Sequence, residues 1–357
     1  MEAKLPMNSP RGAFLITIDV EGDNAWSRTR EVSTRNAGFL PRFQELCDKF
    51  DFIPTYLTNY EMAGDPFFAE FARDAANSER AEIGMHLHAW NSPPHVPLTA
   101  DDFLHCPYLI EFPDDVIRRK VEFMTRFLED TFSRPIESHR AGRWALNPFY
   151  VRVLSEFGYR SDCSVTPRVD WSASRGAPGG RGGTDYRRFP RRHYWIGGAD
   201  ISRSAISDLL EVPMTVFDPC PPSLASLARS SPLGSGLSQR ALRRIWPLEW
   251  LRPDGHNLRS MLRILTIAER ENWPYVEFML HSSELMPGGS PTFSDEGAIE
   301  HLYDHITALF EHAASRFVGR SLAMFRECVT AARRPGDETC YAATSNFSHR
   351  STDIGPV

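Results

Sequence analysis

The chain has 357 residues, 41% apolar, 11% aromatic and 24% charged, enough apolar material for a large core and too varied a composition for a disordered or collagen-like chain. No apolar run approaches the ~18 residues of a membrane span, and 40 basic against 46 acidic residues, a net charge of −6, argue against a general nucleic-acid binder. Six scattered cysteines without a C-x-x-C pair fit reduced thiols. With no apolar leader after Met1, the expectation is a cytoplasmic protein with a flexible segment at 1–10, one folded domain over 11–332 and a polar, disordered tail over 333–357.

Ala13-Phe-Leu-Ile-Thr-Ile-Asp19 is apolar and β-branched and stops at Glu21, Gly22 and Asp23, which predicts a strand delivering carboxylates to its C-terminal end. Phe39, Phe43, Leu46 and Cys47 recur at helical offsets. Residues 52–57 then read as a strand, 66–76 as a helix and 81–88 as a strand. Over 114–132, Val116, Ile117, Val121, Met124 and Leu128 fall on one helical face, and beyond Pro135 a short run at 136–140 precedes a helix over 147–157 and a strand over 159–165. This alternation predicts a mainly parallel sheet, open or closed into a barrel, with its site at the strand C-terminal ends.

Two interruptions break the rhythm. Residues 170–192 are Gly-rich at 174–183 and end in Arg187, Arg188, Arg191 and Arg192, a long loop that is either solvated or in contact with an acidic saccharide or a phosphate. Residues 219–255 hold Pro, Ser and Gly turns around an amphipathic stretch at 242–250. Helix signals return at 257–271 and 296–311, with a strand at 275–281 between them. No internal repeat is present.

Asp19 and Glu21 are two apart, so in extended chain they project to one side of the sheet, with Asp23 as a further candidate. His86 and His88 have the same relation. Two imidazoles and one carboxylate form an open divalent-metal site, and one metal satisfies two histidines that an apolar strand would otherwise leave wanting separate partners. Arg140, in Ser138-His-Arg-Ala-Gly-Arg-Trp144, would keep Asp19 ionised. His281 ends a buried strand, and Asp162 is a candidate to orient or charge it. Trp26, Trp90 and Trp144 lie beside these motifs and are candidates for stacking on a sugar ring, or for packing.

Taken together, Thr17-Ile-Asp-Val-Glu-Gly-Asp23, Pro54-Thr-Tyr-Leu-Thr-Asn-Tyr-Glu61, Ile83-Gly-Met-His-Leu-His-Ala-Trp-Asn91, Arg140-Ala-Gly-Arg-Trp144, Asp162-Cys-Ser-Val-Thr-Pro167 and Leu280-His-Ser-Ser-Glu-Leu285 resemble the polysaccharide deacetylase superfamily, the NodB homology domain of carbohydrate esterase family 4 type. The pattern is similar to its WbmS-like branch, associated with surface-polysaccharide biosynthesis, and covers about residues 14–293. The resemblance implies an α/β fold, a distorted (β/α)7 barrel of the NodB type, here with two long loop insertions. It also implies a divalent metal, usually Zn2+, that polarises an N-acetyl carbonyl and activates a water.

By the same resemblance Asp19 is the general base, Glu21 the carboxylate ligand with Asp23 as the alternative, and His86 and His88 the metal histidines. Arg140 holds Asp19, and His281, supported by Asp162, protonates the leaving amine. Asn91, Trp90, Trp144, Arg143 and Glu284 are the candidate substrate contacts, Asn91 also being a possible ligand. The chain departs from the family in two places: Asp19-Val-Glu21 replaces an adjacent Asp-Asp, and His86-Leu-His88 replaces His-x-x-x-His, with Asn91 near the place of the second histidine. The implied activity is removal of an N-acetyl group from a sugar of a surface-polysaccharide precursor, with no nucleic-acid partner and no membrane span expected. The alternatives are hydrolysis of another non-peptide C–N bond, such as a cyclic amide, and a catalytically inactive glycan-binding relative.

Overall fold

The computed structural model describes residues 11–23, 32–177, 179–221, 224 and 242–333. The sheet is built outward from β1 (Ala13–Val20), whose eight residues are all buried, as the unbroken apolar run requires of a central parallel strand. β1 pairs in parallel with β10 (Tyr275–His281) on one edge; on the other, its C-terminal half takes β2 (Thr55–Thr58) and its N-terminal half β11 (Val318–Arg320). From β2 the parallel ladder continues through β3 (Glu82–Leu87), β4 (Ser138–Ala141), β5 (Ser161–Asp162) and β7 (Leu210–Glu211), and β6 (Tyr194–Trp195) closes that end antiparallel to β7.

The strands from β10 through β1–β5 to β7 are thus a parallel set of seven. Between β7 and β10 the described residues form no ladder. The Tyr275 hydroxyl donates to Pro213 O at 2.7 Å, Glu277 N to Thr215 Oγ1 at 2.8 Å and Met279 N to Leu251 O at 3.2 Å. These bonds satisfy the free edge of β10, so the sheet curls into a seven-stranded (β/α) barrel with one irregular seam.

Helices Leu40–Lys49, Pro66–Asn77, Asp114–Phe132, Pro148–Glu156, Leu258–Arg270 and Glu296–Ala314 cover it. Asp65, Asn147 and Asp295 cap three of them by accepting from Phe68 N, Tyr150 N and Ala298 N, and Pro66 and Pro148 occupy first helical positions, where a missing N–H costs nothing. Between the sheet and the helix Glu296–Ala314, Phe310 meets Phe14, Phe52 and Phe278 edge-on with ring centroids 5.2–5.6 Å apart, while Leu15, Leu57 and Tyr275 pack with Leu322, Phe325 and Val329 on the opposite face of the sheet.

Several expectations change. β2 starts at Thr55 and β5 has two residues, where the sequence predicts longer strands over 52–57 and 159–165. The 170–192 segment is an ordered excursion rather than a structureless loop. Asp170 and Asp185 form an antiparallel bridge, Trp171 N bonds Thr184 O, and Gly179 and Gly182 take the positive φ that its turns require. Strands β6 and β7, the small antiparallel pair β8 (Val216–Phe217) and β9 (Glu249–Trp250), β11 and the helix Leu322–Arg333 carry too little periodicity to be read. The segments at 1–10 and 334–357 and Trp26 lie outside the described residues. Cys47, Cys106, Cys163, Cys220 and Cys328 are free thiols, and no described helix is long and apolar enough to cross a membrane.

Candidate active site and metal centre

Parallel register assembles the site. β1 and β10 place Asp19 level with His281, and β3 and β4 place His86 level with Arg140, all at the C-terminal ends of their strands. Glu21 follows β1 and His88 follows β3. Glu21, His86 and His88 are buried and form the one group among the described residues whose ligand atoms converge, all within 4.8 Å of one another.

The donor chemistry fits a divalent cation. Glu21 Oε2 lies 3.3 Å from His88 Nε2 and 3.7 Å from His86 Nε2, long for N–H···O bonds but close to the ~3.3 Å between donors bound tetrahedrally at ~2.0–2.1 Å. His86 Nδ1 sits 3.1 Å from Arg140 O; a carbonyl only accepts, so Nδ1 carries the proton and Nε2 turns its lone pair to Glu21. Burial pushes His88 down to about 3, so its imidazole is neutral, as a ligand must be. Gly142 packs so closely on this ring that a Cβ there would come within 2.4 Å of His88 Cδ2.

Asp19 is held by a buried network. Arg140, fully buried, donates to Asp19 Oδ1 at 2.6 Å, to Thr17 Oγ1 at 2.8 Å, to Cys163 O at 3.1 Å and to Glu277 Oε1. Burial would raise the Asp19 carboxyl, but the Arg140 charge, reinforced by its hydrogen bond, leads the interactions that outweigh burial and hold the group down to about 2. Its other oxygen, Oδ2, lies 3.8 Å from both His86 Nε2 and His281 Nε2. Glu277 did not stand out in the sequence, although it shares a face of β10 with His281; burial lifts it to about 7 against the pull of Arg140.

His281 takes its support from Glu284, not from Asp162. Glu284 Oε2 is 3.1 Å from His281 Nδ1 and 2.8 Å from His281 N, and Arg252 Nη2 is 3.0 Å both from Glu284 Oε1 and from the same Nδ1. Glu284 accepts from a protonated Nδ1 and Arg252 donates to an unprotonated one, so the pair serves the ring in either state. Burial opposes ionisation of Glu284, but the Arg252 charge and the His281 hydrogen bond bring it to about 2. Asp162 is instead bonded to His139 Nδ1 at 2.6 Å, and His139 Nε2 meets the Tyr150 hydroxyl at 2.7 Å. Residues 139 and 140 face opposite sides of β4, and register puts Asp162 level with His139, away from the Arg140 face.

Two further assignments are corrected. Asp23 is spent on structure: its oxygens accept from Ser33 Oγ, from Arg35 and from Asn36, which ties down the turn after β1. Asn91 is outside the ligand group and donates to Glu61 Oε2 at 2.6 Å. Its place is a smaller neighbouring pocket behind His88 and Trp90.

The Glu21–His86–His88 group opens into a cavity of about 930 Å³. Trp90 stacks on His88 with centroids 4.4 Å apart, Trp144 stacks on Trp171 at 5.3 Å, and Trp250 stands 6.0 Å from Trp144, so the walls are largely aromatic. Arg143, Glu284 and Arg252 also line it. From the first interruption it is Trp171 and Ser174 that reach the cavity. None of residues 187–192 does, and Arg187 is engaged by Asp185 at 2.6 Å and Asp170 at 3.2 Å. Arg252, Trp171 and Trp250 are not legible as site residues, because they come from the two interruptions, where no strand end marks a side chain as facing the site.

Neither a protein-family model nor a curated protein matches the sequence. Solved structures do. A Mycobacterium smegmatis protein provisionally named a polysaccharide deacetylase aligns over 92% of this chain and 93% of its own, with 15% identity and a TM-score of 0.52. A Parabacteroides distasonis protein provisionally named a glycoside hydrolase/deacetylase aligns over 90% and 72%, with 10% identity and a TM-score of 0.55. A glycoside hydrolase family 57 branching enzyme of Thermococcus kodakaraensis aligns over 88% and 71%, with 11% identity and a TM-score of 0.51. The chain has the curled parallel (β/α) barrel of the polysaccharide deacetylases, the NodB homology fold.

Proposed function

We propose that the protein is a metal-dependent hydrolase that removes the acetyl group from an N-acetylated sugar, a precursor of a surface polysaccharide, within the cytoplasm. The observation that carries this reading is the convergence of Glu21, His86 and His88 between a tethered carboxylate, Asp19, and an oriented imidazole, His281, on the floor of an aromatic cavity. A divalent cation, Zn2+ by the N/O character of the donors, would be held by Glu21, His86 and His88 and would supply polarisation of the acetyl carbonyl and a water acidified to about pKa 7, within reach of a base as weak as Asp19.

The residues then divide the proton work. Asp19, fixed through Oδ1 by Arg140, keeps Oδ2 toward the cavity and takes the proton of the attacking water. His281, aligned through Nδ1 by Glu284 and Arg252, presents Nε2 on the Asp19 side and gives a proton to the amine nitrogen as the C–N bond breaks, leaving acetate and a free amino sugar. Trp90, Trp144, Trp171 and Trp250 provide apolar faces on which a sugar ring stacks, and shield the reacting centre from bulk water.

The test is acetate release from a panel of N-acetylated sugars and sugar phosphates by zinc-loaded protein, with Asp19→Asn and His281→Ala as controls. Acetate production lost in both variants supports the reading. Opening of a cyclic amide without acetate would move the protein to another class of C–N hydrolase, and sugar binding without turnover would make it a glycan-binding relative.

A further inference from the structure

Arg143 is the charged group of the cavity that the proposed chemistry leaves unused. Two arginines line the cavity; Arg252 is paired with Glu284 at 3.0 Å, whereas Arg143 has no carboxylate within ion-pair distance among the described residues. The rim acids are engaged elsewhere, Glu249 by Arg263 and Asp254 by the His256 N–H. An arginine in open water needs no partner. Arg143 is half-buried, with its guanidinium carbon 5.5, 5.7 and 5.8 Å from the ring centroids of Trp90, Phe103 and Tyr108, an aromatic frame whose Tyr108 hydroxyl is a neutral acceptor for its N–H groups and supplies no opposite charge.

The backbone fixes it there against local preference. Arg143 and Trp144 both have φ of 53°, in the left-handed region that residues with a Cβ avoid, and the preceding Gly142 is pressed against His88. Two consecutive strained residues beside a candidate metal ligand are the kind of feature that collects where a protein grips its ligand.

We infer that Arg143 recognises an anionic substituent, a carboxylate or a phosphate ester, so that the substrate is an acidic N-acetylated sugar rather than a neutral one. The inference rests on the deacetylase reading of the same site. A planar guanidinium matches two oxygens of either group at once, which a neutral sugar hydroxyl cannot supply.

The test is calorimetric binding of three probes to the full chain incubated with zinc: N-acetylglucosamine, N-acetylglucosamine 1-phosphate and N-acetylglucosaminuronic acid. At least one acidic probe is expected to bind about tenfold or more tightly than the neutral sugar, and which one does so separates phosphate from carboxylate. The ratio should fall toward one in Arg143→Gln and survive in part in Arg143→Lys. Equal affinities in the wild type, a ratio untouched by Arg143→Gln, or no binding of either acidic probe overturns the inference, and the wild-type comparison holds even if a variant does not fold. Acetate measured alongside keeps the two readings apart. Release from neutral sugars without acidic preference removes the anion site and leaves the deacetylase, whereas an Arg143-dependent acidic preference without acetate from any probe does the reverse.

Discussion

Two carboxylate–histidine assemblies share this sheet, on opposite sides of neighbouring strands. In the Asp162–His139–Tyr150 group the polar atoms are 2.6 and 2.7 Å apart and fully buried, so each donor has found its acceptor. In the Asp19–Glu21–His86–His88–His281 group the nitrogen–oxygen gaps run from 3.3 to 3.9 Å, and the group opens into a cavity. The chemistry is similar and the spacing differs by about one ångström. The closed group holds strands β4 and β5 and the helix Pro148–Glu156 together, while the open group keeps its donors apart, the spacing that the proposed cation and water would need.

The largest effect should come from the residue that props the open group apart. Arg140→Met would leave Asp19 facing Glu277 without their shared cation, at a cost of about 3–5 kcal/mol in urea unfolding. A loss below about 1 kcal/mol would mean that the network is not what holds Asp19.

Glu277 sharpens the same point through pH. Lifted by burial from 4.5 to about 7, it holds more protons in the folded than in the unfolded chain. Its contribution to stability is therefore full below pH 4.5 and lost as pH rises through 7, a swing of roughly 3 kcal/mol. Glu277→Gln cannot ionise, so stability measured from pH 4.5 to 8 should no longer show that decline. Persistence of the decline in the variant would place its origin elsewhere.

The closed group should behave oppositely to the open one. Asp162→Ala leaves a buried His139 nitrogen unpaired and should cost about 1–3 kcal/mol of stability while metal content stays at the wild-type level. Glu284→Gln, acting on His281, should lower kcat up to about 100-fold with a smaller stability change. If Asp162→Ala lowered kcat as far as Glu284→Gln, the division between the two groups would fail.

The smallest effect is expected at the basic loop. Arg187→Ala with Arg188→Ala removes an exposed pairing to Asp185 and Asp170, worth about 0–1 kcal/mol, and should leave KM unchanged because neither residue lines the cavity. A several-fold rise in KM would bring the loop back to the substrate.

These contrasts explain what could be read in advance. Asp19, Glu21, His86, His88, Arg140 and His281 stand on or just beyond buried strands, where a polar side chain is conspicuous against its apolar neighbours and a period of two assigns a shared face. The same rule applied to β10 picks out Glu277, four residues before His281. The sequence pattern pairs Asp162 with His281 and the structure pairs it with His139, because its side of the sheet depends on register with His139, which no local pattern encodes. Arg252, Trp171 and Trp250 were out of reach for another reason. They arrive from the two interruptions, where Gly, Pro and Ser set turns and tertiary packing decides which side chains meet the cavity.

The most direct test of the central claim is metal content by elemental mass spectrometry on untagged protein, wild type beside His86→Ala, His88→Ala and Asp162→Ala. The account predicts about one equivalent of zinc or a similar divalent metal in the wild type and in Asp162→Ala, lost from both histidine variants. Wild-type protein that takes up no metal after incubation with zinc, cobalt, nickel or manganese, or histidine variants that retain it, would contradict the assignment of the open group as a metal centre.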